Sequence, residues 1–106
     1  MIAVTVLRDG DRISGFESSG HAGFADSGKD IVCAAVSILI INTVNSMEEF
    51  TGQVFGTESE DGHIYCTLVK PYDQDAQLLL NAMVFGLQNI RQEYGKKYLR
   101  LDFKEV

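Results

Sequence analysis

The stretch IVCAAVSILII, running from Ile31 to Ile41, decides the fold. It is too long for an ordinary strand, and about 20 residues are needed to cross a bilayer, so it reads as a buried core helix interrupted only by Ser37. Val32, Val36 and Ile40 make one apolar face and Ile31, Ile38 and Ile41 another, which predicts burial on most sides. Asn42, Asn45, Glu48 and Glu49 then return a wet face, and the helix is expected to run to about Phe50. Upstream, Ser27 to Asp30 has the serine-x-x-acid form of a capping box, with either Ser27 or Asp30 as the cap.

Outward from this helix the chain is strand-like. Ile2 to Leu7 is rich in β-branched residues, Asp9-Gly10 suits a tight hairpin turn, and Arg12 to Ser18 returns. Ser19 to Lys29, with Gly20, Gly23 and Gly28, reads as a loop poorly ordered without a ligand. After the helix, Val54 to Ser59 and His63 to Lys70 form a second hairpin across Glu60-Asp61-Gly62. Asp73 to Tyr94 carries Ala76, Leu79, Leu80, Met83, Leu87 and Ile90 on one stripe, and Gly95 stops it. Tyr98 to Glu105 alternates, with Leu99, Leu101 and Phe103 inward. The expected fold is α+β: one two-layer ββαββαβ domain over residues 1–106, with a mostly antiparallel five-stranded sheet and two helices on one face.

Composition excludes several functions. A net charge of -6 argues against nucleic-acid binding, which needs a basic face for phosphates, and weakly favours a basic partner. The amino terminus, Met1-Ile2-Ala3-Val4, has no positive region before its apolar run, so neither a signal peptide nor a membrane anchor is expected. A cytoplasmic location follows, and there Cys33 and Cys66 are expected to be free thiols.

The chemistry concentrates between Gly20 and Ser37. A thiolate is the useful nucleophile, and a helix start lowers a thiol's pKa. Cys33 falls in the first or second helical turn, and His21, flanked by Gly20 and by small residues, is placed to supply the remaining activation and later to protonate a leaving amine. Amides around Gly28 to Val32 are candidate oxyanion donors, and Asp26 or Asp30 either orients the imidazole or caps the helix. Against this stands the ordinary role of a cysteine in an apolar helix, which is core filler, and that of a loop histidine, which is solvation. Cys66 reads as inward packing, His63 as a solvated strand end, and Ser37 as bonded back to a helix carbonyl or lining a pocket. One histidine and one cysteine twelve residues apart do not make a zinc site. Gly23 to Lys29 matches a phosphate loop in outline only, because Asp30 stands where a magnesium-binding hydroxyl is needed.

Gly20-His21-Ala22, followed by Asp30-Ile31-Val32-Cys33-Ala34-Ala35-Val36-Ser37, resembles the ribosomal-processing cysteine protease family, Prp. Phe24 stands where that family carries tyrosine, a change that keeps the ring. The resemblance implies a cytoplasmic bacterial endopeptidase that removes the N-terminal extension of a large-subunit ribosomal protein, the one named L-twenty-seven, after an aromatic pair. It implies Cys33 as nucleophile, His21 as general base and acid, Gly20 as a loop hinge, a homodimer and no cofactor. Aromatic specificity calls for an apolar pocket beside Cys33, with Phe24, Ser37 and the second helix as candidate walls. Two other readings compete: a non-catalytic ribosome-assembly binding protein, and a redox sensor built on Cys33.

Overall fold

The computed structural model describes the backbone of residues 1–20 and 27–106, and the side chains of residues 1–20 and 31–106. The order is β1 (Ile2–Asp9), β2 (Arg12–Ser19), α1 (Ser27–Phe50), β3 (Phe55–Glu60), β4 (His63–Leu68), α2 (Gln74–Tyr94) and β5 (Leu99–Glu105). The five strands form one sheet in the order β3-β4-β2-β1-β5. Every pairing is antiparallel except β1 with β5, which is parallel. This is the expected α+β architecture.

One sheet face carries the core. Ile2, Val4 and Val6 of β1 are buried with Phe16 of β2, Cys66 and Leu68 of β4, and Leu99 and Leu101 of β5. Against them lie Val32, Val36, Ile40 and Met47 of α1 and Ala76, Leu80, Met83 and Leu87 of α2. The segment Ile31–Phe50 is apolar and long enough by composition to cross a membrane, and one of its faces, carrying this row of buried side chains, lies in the core. The two helices approach closely where Gly86 meets Leu39: a Cβ on that glycine would stand 2.8 Å from Leu39 Cδ2.

Burial does not extend round α1 as its composition suggested. Ile31, Ile38 and Ile41 are 51%, 70% and 51% exposed, because sheet and α2 cover only the opposite side of the cylinder. A second correction concerns Phe103. Its register with Val6 keeps it on the helix side of the sheet, but it is 44% exposed with the Arg8 guanidinium 5.0 Å from its ring centroid, lying past the end of the packed core.

The strands hold two irregularities. Between Leu7 and Arg8 the β1–β2 register shifts, so that Leu7 faces Gly15 and Arg8 faces Ile13. Ser14 is the extra residue of a bulge, and its hydroxyl donates to the Leu7 carbonyl at 3.3 Å. The bulge turns both Ile13 and Phe16, an odd number of residues apart, into the core. Buried Gln77 of α2 clamps it: Gln77 Oε1 accepts from the Ile13 amide at 2.7 Å, and Gln77 Nε2 donates to the Ile13 carbonyl at 2.8 Å.

A similar glutamine, Gln53, ties the loop after α1 to the loop before α2. Its Nε2 donates to the carbonyls of Val54 and Val69 at 2.8 and 2.9 Å, and its Oε1 accepts from the Asp73 amide at 2.7 Å. Asp73 caps α2, with Oδ1 accepting from the amides of Asp75 and Ala76. Gly95 ends the helix at φ +106°, returning its amide to the Arg91 carbonyl.

Candidate active site

Cys33 is the seventh residue of α1, in its second turn, and is half-buried where it packs against the core. At about 100° per residue it shares a flank with Ser37 and Val44, turned away from Leu39 and therefore from α2. Ser37, one turn on, is exposed. The sulfur is thus neither sealed in hydrocarbon nor loose on the surface.

Cys66 is the opposite case. It lies on the inward face of β4 between Phe16 and Thr57 in register, and burial pushes its thiol up to about 11. Desolvation penalises the thiolate, so Cys66 is a packing residue. Both cysteines are free. A thiol held protonated in the core is a poor resolving partner, which counts against the redox-sensor reading.

The loop expected to carry the histidine starts from a constrained point. Gly20 has φ +100°, and a Cβ there would stand 2.3 Å from the Met1 carbonyl oxygen. Its amide donates to the Gly62 carbonyl at 3.0 Å. Glycine is therefore required twice, by its positive φ and by backbone proximity. These contacts anchor the end of β2 between the start of β1 and the β3–β4 turn. The seven chain steps from Gly20 to Ser27 reach at most about 25 Å, so α1 must begin near this end of the sheet.

His21, Phe24 and Asp26 lie outside the described residues, as does the question of order across the expected loop. The bounds expected for that loop are corrected at both ends: Ser19 closes β2, and Ser27 to Lys29 are already helical. Because α1 starts at Ser27, Asp30 is its fourth residue and cannot be its cap, and its side chain lies outside the described residues. The helix ladder occupies the amides of Ile31 and Val32, so candidate oxyanion donors are confined to the opening turn, Ser27 to Asp30.

Among the described residues no group of three or more His, Cys, Asp or Glu is placed to hold a metal. His63 is exposed, as the sequence suggested, but its ring stacks on Tyr65 with centroids 6.0 Å apart and planes 5° from parallel. That pairing was not read from the sequence, although the two-residue period from His63 to Tyr65 on an outward face is its signal.

A half-buried thiol in the second turn of a sheet-backed helix, with a tightly anchored glycine just past the end of β2, is a layout suited to thiol-dependent hydrolysis, and the relatives bear this out: the chain is a cysteine peptidase. The family model described as Cysteine protease Prp matches residues 1–99, and the chain belongs to that family. The ribosomal processing cysteine protease Prp of Bacillus subtilis is 34% identical over 101 residues, 89% of this chain and 90% of that protein. Crystal structures of the essential ribosomal processing protease Prp from S. aureus are close in shape. One, with a covalently linked product peptide, has a TM-score of 0.87 at 31% identity, and another, with a substrate peptide, has 0.88 at 30%. Each covers 98% of this chain and all of the other.

Proposed function

We propose that this chain is a cysteine endopeptidase that removes the N-terminal extension of a large-subunit ribosomal protein of the L-twenty-seven type, cutting after an aromatic pair. The observation that carries it is the half-exposed Cys33 at the head of α1, in a chain of the Prp family.

In this mechanism His21 takes the Cys33 proton and the thiolate attacks the scissile carbonyl. The oxyanion that forms is held by amides of the opening turn of α1, where the helix dipole also favours negative charge. His21 then protonates the leaving amine, and water attacks the thioester with the same imidazole as base. Asp30 or Asp26 orients the ring. Gly20 is the hinge, and Phe24 and Ser37 contact the incoming chain. The chemistry needs no cofactor or metal. Its site of action is the cytoplasm, in keeping with two free thiols.

The reading includes a homodimer. Its support is the helical layer, where Ile31, Ile38 and Ile41 of α1 and Leu78 and Phe85 of α2 are all more than half exposed. An apolar surface of this kind on a small protein ordinarily meets a partner.

The test is cleavage of a peptide containing Phe-Phe, followed by mass spectrometry. Cys33→Ala and His21→Ala are each expected to abolish product while leaving the circular dichroism unchanged. A peptide chloromethyl ketone ending in Phe is expected to modify Cys33 and spare Cys66. Full turnover by Cys33→Ala would leave the binding-protein reading in its place.

A further inference from the structure

The sheet has a second face, which no helix among the described residues covers, and its charge is uneven. Strand register places Glu17 of β2, Tyr65 of β4 and Glu58 of β3 in one outward row, and Ser19, His63 and Glu60 in the next. Tyr65 is 36% exposed and stacked on His63, so an aromatic surface lies between Glu17 on one side and Glu58 and Glu60 on the other. Asp61 adds a further acid in the adjoining turn. Among the described residues no ion pair involves Glu17, Glu58, Glu60 or Asp61, and from residue 31 to residue 69 the chain has no lysine or arginine.

The far side of the same face differs. There β5 presents Arg100, Asp102 and Lys104, with Arg100 and Asp102 paired at 2.9 Å. The face is therefore acidic towards β3 and compensated towards β5. A depression of about 350 Å³, lined by Gly56, Thr57, Glu58, Tyr65 and Thr67, opens on the acidic half. Nothing lies within 4 Å of the place a Cβ would take on Gly56, so this floor is open to an incoming chain. β3 is also an edge strand, with one side of its backbone unpaired among the described residues.

We propose that the β2–β4–β3 half of the helix-free face docks a lysine- and arginine-rich segment of polypeptide. Cationic heads lie over the Tyr65 ring and against Glu17 and Glu58, which stand about 10 Å apart across the two strand spacings that separate them. The compensated β5 side offers the same segment no comparable attraction, which sets its position on the face. The open edge of β3 offers main-chain partners that only a polypeptide can use, which distinguishes this occupant from a small polyamine. The inference deepens the peptidase reading, on which it rests for the view that the docked segment belongs to the substrate. The surface lies on the other side of the sheet from α1 and Cys33, so it holds the body of a substrate rather than its scissile bond.

The test uses the full chain with Cys33→Ala and a fluorescent oligolysine peptide lacking aromatic residues. Anisotropy at low salt is expected to show binding, with amide NMR shifts centred on Glu17, Glu58 and Tyr65. The double variant Glu17→Gln, Glu58→Gln is expected to weaken binding about tenfold. In a Cys33-intact background the same double variant should cleave a short uncharged aromatic-pair peptide at the parent rate. Shifts centred elsewhere, unchanged affinity in the double variant, or equally tight binding of spermidine would each overturn the docking proposal. Failure of the intact protein to cut the short peptide would instead remove the peptidase reading and leave the binding result standing.

Discussion

At the scale of single residues, Gly20 and the two cysteines separate structure from chemistry. Gly20→Ala puts a Cβ against the Met1 carbonyl at a positive φ, and is expected to destabilise the fold by about 1–3 kcal/mol and to lower turnover, read by thermal melting and peptide cleavage. Cys66 makes a pH prediction. Its folded-state pKa is raised from 9.0 to about 11 by burial, so the folded state holds a proton that the unfolded chain releases first. The stability this contributes is complete below pH 9 and is lost as pH rises through the window from 9 to 11. Melting temperature should therefore fall more steeply across that window in the parent than in Cys66→Ala; parallel curves would contradict the burial argument. Alkylation at neutral pH in the folded state should reach Cys33 and leave Cys66 untouched until denaturant is added.

At the scale of elements, periodicity made nearly every strand and helix legible, because each buries one face and shows water the other. Gly95 even announced the end of α2 through the chemistry of caps, whereas the cap at Asp73 was not read. What stayed hidden depended on partners rather than on pattern. Ile31, Ile38 and Ile41 look like core from composition, yet which sides of a helix are covered is decided by elements far away in sequence. The bulge at Ser14 left a trace in the three-residue step from Ile13 to Phe16, which breaks strand alternation, but its clamp by Gln77 joins residues 64 positions apart and had no local signal. Gln77→Leu strands both backbone groups of Ile13 in the core, and is expected to cost about 2–4 kcal/mol in a denaturant titration. The position of Cys33 in the early turns of α1 was legible from the helix start, whereas the acidic row on the other sheet face emerged only once strand register aligned Glu17 with Tyr65 and Glu58.

At the scale of the whole molecule, the two-layer design leaves two surfaces of opposite character. The helical layer is apolar outside, and the bare sheet face is charged. If the helical layer is a homodimer interface, Ile38→Asp combined with Phe85→Asp should convert the protein to a monomer in sedimentation, because both residues are exposed in the isolated chain and neither change disturbs its core. An unchanged sedimentation coefficient would move the interface elsewhere. The parallel ladder between β1 and β5 carries a consequence for biosynthesis. Ile2 aligns with Leu99 and Val6 with Phe103, so β1 waits for β5, made about a hundred residues later, before its second edge is covered. A nascent chain that has made both hairpins still exposes one side of β1 and lacks Leu99 and Leu101 from its core. Completion of the sheet therefore waits until β5 is made, and products truncated before β5 are expected to be prone to aggregation along that open ladder.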